Sequence, residues 1–365
     1  MSELIEYKCP NCGGALEFNA DLQKMKCPFC DSEFDVATLK ALDDALHATE
    51  QEDELHWDET SGQEWDATEA EHLRHYICNS CGGEIIGDAA TGATTCPFCG
   101  NPVTISEQFA GGLRPDKIIP FKVDKDEAKA ALAKHLEGKR LLPKVFKSQN
   151  HIDEIKGIYV PFWIFDAEAD GQVTYEGTRV RHWSDHEYDY TETSYFNIYR
   201  EGTVDFTDIP VDASAKMADD LMDSLEPFDF SEAVDFQTAY FAGYLADKYD
   251  VSRQDCEPRV NARVKQSTED VLRSTITQPY DSIMPTGSHV QVTNGKVKYA
   301  LLPVWLLNTT WNGQQYTFAM NGQTGKFVGN LPTDKKRLAL YAAASFLGSA
   351  AVGTGIGFLI NYFLL

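Results

Sequence analysis

Apolar residues recur along this chain in several rhythms, each predicting a different kind of element. "IKGIYVPFWIFDAEADGQVTYEGTRVRHW", residues 155–183, predicts an apolar strand, a turn near Asp170-Gly171, and an alternating strand. "YDYTETSYFNIYREGTVDF" continues the β pattern with dense aromatic and Thr content. Before these, "KIIPFKVDKDEAKAALAKHLEGKRLLPKVF" combines a short strand with a helix that Asp124 or Asp126 can cap and Gly138 can close. The section "PVDASAKMADDLMDSLEPFDFSEAVDFQTAYFAGYLADKYD" turns helical, and "VNARVKQSTEDVLRSTI" is another helix. A meander follows in residues 289–329, with hairpin turns at Asn294-Gly295 and Asn312-Gly313 and a longer turn from Asn321 to Gly325. "YVPFWIF" at Tyr159 echoes "LLPVWLL" at Leu301, and an alternating strand follows each. The preferred explanation is a repeated strand–hairpin block; the alternative is a shared strand motif without common ancestry.

The last rhythm is unbroken. From Leu338 to Leu365 there are 28 residues without Asp, Glu, Lys or Arg, more than the roughly 20 that span a bilayer as a helix. Gly348, Gly353, Gly355 and Gly357 would weaken a soluble helix, whereas spanning helices tolerate glycine. A buried core helix is the alternative. Basic "DKKR" immediately precedes the run, so the positive-inside rule puts the preceding part in the cytoplasm and predicts a single-pass tail anchor in the cell membrane. Tyr362 and Phe363 fall where an interfacial belt would lie. Ser345, Ser349, Gly353 and Gly357 form a ridge of small residues suited to helix–helix packing, with a second copy of the chain and a partner helix equally open; the alternative is the small-residue content common to spanning helices.

Eight of the nine cysteines sit in two frames of identical spacing, C-x2-C-x14-C-x2-C. The first is Cys9, Cys12, Cys27 and Cys30; the second is Cys78, Cys81, Cys96 and Cys99. Two residues between cysteines let one tight turn aim both thiolates at one ion, and four thiolates make the closed tetrahedral site of structural zinc. Iron is the competing metal, because such sites accept either. Gly13 and Gly14, like Gly82 and Gly83, let backbone amides turn toward the sulfurs. We therefore expect two structural Zn2+ ions, with no open position for catalysis. Cys256 lies outside both frames and reads as a plain thiol.

Charge then narrows the partners. Lys and Arg number 32 against 56 Asp and Glu, a formal balance of −24. Residues 1–109 alone hold 22 acids against 5 bases, and each thiolate-bound zinc centre adds about −2. A nucleic-acid-binding ribbon shows the opposite footprint, so nucleic acid is an unlikely partner. The acidic connector between the frames reads as a solvated helix and spacer or as a docking strip, and Trp57 and Trp65 favour some packing. His182 and His186 flank Asp185 but lie in strand and turn sequence, and "NGQTGK" lacks the phosphate-loop spacing. No nucleophile–base arrangement emerges, and no enzyme activity is expected.

The two frames, "CPFCGNPV", "IPFKVDKDEAK", "IYVPFWIF", "IPVDASAKMADDLMDSLEPFDF" and "YFAGYLADKYDV" together resemble bacterial membrane-anchored proteins with paired TFIIB-type zinc ribbons. The resemblance covers nearly the full chain. It implies a scaffold or recruitment role at the cytoplasmic membrane face, with SPFH-domain and phage-shock-type proteins of envelope-stress systems as partners. Only the eight cysteines carry over as functional residues. The expected architecture is α+β: zinc ribbon 1 in 1–36, an acidic linker in 37–74 and zinc ribbon 2 in 75–106. An α+β domain of two β-rich halves with antiparallel hairpins and inserted helices fills 110–332, and a transmembrane helix takes 338–360. The expected function is a tail-anchored adaptor that binds protein partners in an envelope or membrane stress response. The alternative is a nucleic-acid-binding zinc-ribbon protein related to transcription or to replication helicases.

Overall fold

The alternating stretches form long strands, Lys156–Ser184, Asp189–Asp212 and Ser282–Trp311. They belong to a computed structural model that describes residues 8–58, 63–66, 69–70, 73–88, 95–106, 112–147, 152, 154–329 and 331–364. Among the described residues its helices are α1 (Val36–Thr49), α2 (Lys125–Leu136), α3 (Asp219–Asp223), α4 (Arg253–Ser274) and α5 (Lys335–Leu364). The chain is thus mixed α+β, with both cysteine groups near its N-terminal end and one long apolar helix near its C-terminal end. It divides into two compact units. The first comprises Met1–Ser61, Phe165–Ile209 and Glu257–Val297; the second comprises Gly62–Ile164, Pro210–Cys256 and Lys298–Leu365.

In the first unit, two glycines that read as turns lie inside continuous strands. The strand passes straight through Asp170-Gly171, and Gly171 lies tightly against α4. A Cβ there would stand 2.4 Å from Thr268 Cγ2 and 3.1 Å from Leu272 Cδ1. At Gly295 a Cβ would stand 2.6 Å from the His56 carbonyl oxygen and 3.1 Å from the Trp57 ring. Its neighbour Asn294 adopts φ 53° inside the strand, the mark of a local bulge and not of a reversal. Glycine serves close approach at both positions.

The acidic connector is well fastened where it meets this unit. Glu54–Leu55 pairs in parallel with Gln291 and Val292. Asp53 accepts from Lys265 Nζ at 2.7 Å and from the Val290 amide at 2.9 Å. The Trp57 indole meets Phe165 edge-on at 4.9 Å and donates to Asn261 Oδ1 at 2.8 Å. Val173, Tyr175, Ile198 and Leu272 form an apolar cluster, and the Tyr175 hydroxyl donates to the Glu269 carbonyl at 2.6 Å.

In the second unit the two echoed segments perform matching jobs. Ile158 and Tyr159 pair in parallel with Leu245 and Ala246; Ala300 and Leu301 pair in parallel with Lys117 and Ile118. The Trp163 indole donates to the carbonyl of Val251, two residues before α4 begins, at 3.1 Å. The Trp305 indole donates to the carbonyl of Val123, two residues before α2 begins, at 3.0 Å. Each echo therefore braces one strand and the entry to one helix. Asp124 caps α2 in a capping box: its Oδ1 accepts from the Glu127 amide at 2.8 Å while Glu127 Oε2 accepts from the Asp124 amide at 3.0 Å. Asn312 and Gly313, at φ 53° and 77°, close a two-residue hairpin in which Trp311 faces Gln314.

The section expected to be helical, residues 210–250, is mostly irregular. Besides α3 it holds 3-10 turns at Phe230–Glu232 and Thr238–Phe241 and a strand at Leu245–Asp247. One of its acids, Asp229, caps a 3-10 turn: its Oδ1 accepts from the amide and hydroxyl of Ser231. Buried Asn321 donates to the carbonyls of Leu225 and Pro227 at 3.1 and 3.2 Å, satisfying groups that a helix would have used.

Asp334 precedes helix α5, and its Oδ1 accepts from the amides of Lys336 and Arg337. Its first turn is fixed to the loop after α2, with Arg337 Nη1 donating to the Leu142 carbonyl at 3.0 Å and the Asp334 amide to Leu141 at 2.8 Å. Lys335–Phe358 is long and apolar enough to cross a membrane, and none of that stretch is buried. Ser345, Ser349, Gly353 and Gly357 lie exposed along it.

Candidate metal centres

Four short turns, each built on a C-x-x-C step, supply every sulfur. In each, the amide four residues after the first cysteine bonds back to its carbonyl: Gly13 to Cys9, Asp31 to Cys27, Gly82 to Cys78 and Gly100 to Cys96, at 2.8–3.0 Å. That geometry requires a left-handed residue directly after the second cysteine. Gly13, Gly82 and Gly100 adopt φ 71–74°, and Asp31 adopts φ 57°. Asp31 is thus the one turn of the four without glycine, at a conformation that Asp tolerates better than most residues. Sequence reasoning found Gly13 and Gly82 but passed over Gly100 and Asp31. Aligning the four turns by their second cysteine would have found both.

The turns bring the eight cysteines into two groups. Cys9, Cys12, Cys27 and Cys30 have all four sulfurs within 4.8 Å of one another, and so do Cys78, Cys81, Cys96 and Cys99. The closest pairs are Cys12 and Cys27 at 3.4 Å and, in the second group, Cys78 and Cys99 at 3.5 Å. A tetrahedron with Zn–S bonds of about 2.3 Å has sulfur–sulfur edges near 3.8 Å. The donor set fits zinc or iron, and it fills the coordination sphere. Among the described residues these are the groups of His, Cys, Asp and Glu able to hold a metal. His182 instead faces Thr191 Oγ1 at 2.9 Å, and buried Cys256 donates to the Asp212 carbonyl.

Backbone amides point at the sulfurs as thiolates demand: Asn11 and Cys12 toward Cys9, Gly14 toward Cys12, Ser80 and Cys81 toward Cys78, Phe98 and Cys99 toward Cys96. Asn101 Nδ2 adds a side-chain donor to Cys99 at 3.4 Å, and the Ser32 hydroxyl and amide hold the Cys30 thiol down to about 6. Burial pushes the Cys96 thiol up.

The two centres differ in their surroundings. The second belongs to the core of its unit: Cys78, Cys96 and Phe98 lie in one buried cluster with Ile85, Ile119, Ile164 and Met217. Neighbouring strands also hold its "CPFC" turn, with Asn308 Nδ2 donating to the Pro97 carbonyl at 2.5 Å and Gln315 Nε2 to the Phe98 carbonyl at 2.6 Å. The Lys216 ammonium stands 5.8 Å from the Phe98 ring centre. The first centre rests on a small antiparallel sheet, Glu17–Asn19, Lys24–Lys26 and Glu33–Phe34. Its corresponding ring, Phe29, packs over Gly14 but is 76% exposed, whereas Phe98 is 6% exposed.

Two four-cysteine groups on an α+β chain with one apolar C-terminal helix define a protein with two sites able to hold a metal ion and a candidate membrane span. Along its length the chain is 35% identical to YdjG of Bacillus subtilis (strain 168), a protein described as uncharacterized, over 358 residues that cover 97% of this chain and 99% of that one. The chain belongs to the YdjG family. No family model and no solved structure matches it.

Proposed function

We propose that the protein is a membrane-anchored adaptor. Two structural zinc ions fold its four-cysteine groups as TFIIB-type ribbons, and α5 fixes it in the cell membrane with the preceding part on the cytoplasmic side. The carrying observation is the contrast between Phe29 and Phe98. The same Cys-Pro-Phe-Cys motif buries its ring in the second centre and leaves it uncovered in the first, where Phe18 is also 54% exposed. Exposed aromatic rings on a rigid, metal-folded module suit protein docking. Closed four-sulfur sites suit structure and not catalysis. The basic residues Lys335, Lys336 and Arg337 ahead of the apolar stretch support the cytoplasmic orientation. The ridge of Ser345, Ser349, Gly353 and Gly357 offers close approach to a second helix, from another copy or from a partner.

The test is affinity capture of the full chain from detergent-solubilised membranes, with and without nuclease. Membrane-associated proteins of an envelope-stress system, SPFH-domain and phage-shock-type proteins among them, are the expected catch and survive nuclease. A catch of replication or transcription proteins that disappears with nuclease would overturn the adaptor reading in favour of nucleic-acid binding.

A further inference from the structure

Beside the first turn of α5 lies a cleft of ≈ 830 Å³, lined by Trp311, Gln314, Tyr316, Lys335, Lys336 and Leu338 among others. We propose that this cleft holds the phosphate headgroup of an anionic phospholipid. The inference rests on the reading of α5 as a membrane span and assigns its cytoplasmic base a ligand.

Position is the first argument. The uncharged run begins at Leu338, so the lysines just before it stand at the depth where headgroup phosphates meet hydrocarbon. Half-buried Trp311 and Tyr316 also line the cleft, the residue types that favour this interface. Charge is the second argument. Lys335 and Lys336 are exposed, and neither ammonium meets a carboxylate partner among the described residues. Arg337, in contrast, is occupied in fastening the helix, bonded to the carbonyls of Arg140 and Leu142. One carboxylate, Asp334, also lines the cleft, but both its oxygens are engaged. Oδ1 caps α5 through the Lys336 and Arg337 amides, and Oδ2 faces Arg337 Nε at 3.5 Å. Asp334 is therefore committed to the helix start and not to either lysine.

The wider sequence points the same way. A chain of net charge −24 should be repelled by an anionic surface, yet residues 117–147 hold nine Lys and Arg against four Asp and Glu. The loop that receives Arg337 belongs to that basic stretch. Positive charge thus gathers next to the anchor in a chain that is acidic as a whole. A lysine near an anionic membrane surface changes affinity roughly fivefold.

The experiment uses the full chain reconstituted in phosphatidylcholine bilayers doped with brominated lipid, which quenches nearby tryptophan. Trp311 is isolated by subtracting the Trp311→Phe variant. Brominated phosphatidylglycerol should quench Trp311 roughly fivefold or more efficiently than brominated phosphatidylcholine at equal dose. The double change Lys335→Gln, Lys336→Gln should remove that preference. Equal quenching by both lipids in the wild type, or a preference untouched by the double change, would overturn the proposal. So would loss of the preference on adding millimolar inorganic phosphate, which would make free phosphate the ligand. Alkaline extraction of the same vesicles separates the two failures. A chain that washes off refutes the span and the headgroup site together, while a retained chain with equal quenching refutes the headgroup site alone.

Discussion

Phe98→Ala and Phe29→Ala remove the same ring from the same motif, and the structure assigns them opposite consequences. Phe98 is 6% exposed and packs in one cluster with Cys78, Cys96, Ile85 and Met217. Truncating such a ring costs about 3–5 kcal/mol through lost burial and the cavity left behind. Domains are stable by only about 5–15 kcal/mol, so that loss takes a large share of the second unit's margin. Phe29 is 76% exposed, and truncating a surface side chain changes stability by about ±0.5 kcal/mol. Hydrogen exchange of the purified full chain in detergent reads both. Phe98→Ala should speed exchange at the amides of α2 and of the strand from Tyr159 to Ile164 by a hundredfold or more, while Phe29→Ala leaves them unchanged. Equal and small effects would mean that the second centre is not part of its unit's core.

Further outcomes follow from the same geometry. Metal analysis of the purified chain should give about two zinc ions; Cys27→Ser and Cys96→Ser should each remove one, and only Cys96→Ser should also loosen the second unit. Asp31→Gly replaces the one left-handed residue among the turns that is not glycine. It gives up only a surface pair with Lys26 at 3.2 Å, worth at most about 1 kcal/mol, so the first centre should release zinc to a chelator more slowly. Gly171→Ala drives a methyl group into Thr268 and should lower stability by about 1–3 kcal/mol, read as a fall in the thermal midpoint. Burial raises the Asp247 carboxyl from its ordinary 3.8 to about 7, against the opposing pull of the Lys216 ammonium and the Ser214 hydroxyl. The folded chain then holds that proton more tightly than the unfolded one. The associated stability is present at low pH and is lost as pH rises from about 4 through 7. Asp247→Asn removes this dependence, so its cost should be smaller at pH 8 than at pH 5 in thermal melts; a cost that grows with pH would refute the burial argument.

The β character of the long strands, though not their continuity, was legible in the sequence, as were α2 with its cap at Asp124 and the apolar helix, because each rests on local pattern. So were the two cysteine groups, whose spacing determines a turn without reference to the rest of the chain. What escaped depends on distant contacts. Gly171 and Gly295 carry the same signature as a turn glycine, and only the approach of Thr268 or Trp57 shows otherwise. Residues 210–250 looked helical by composition, but their carbonyls are claimed by Asn321, about 95 residues away in sequence. The unlike settings of Phe29 and Phe98 were equally hidden, since both sit in "CPFC" and the strands that cover Phe98 lie far along the chain.

The central claim is that the first four-cysteine module docks a protein partner at the membrane. The most direct measurement is quantitative affinity capture from solubilised membranes with the wild type and Phe29→Ser in parallel, with two zinc ions per chain verified in both. The account predicts that Phe29→Ser keeps its fold, its metal and its place in the membrane while losing most of the captured partner. Full retention of every partner by a folded, zinc-loaded Phe29→Ser chain would contradict it.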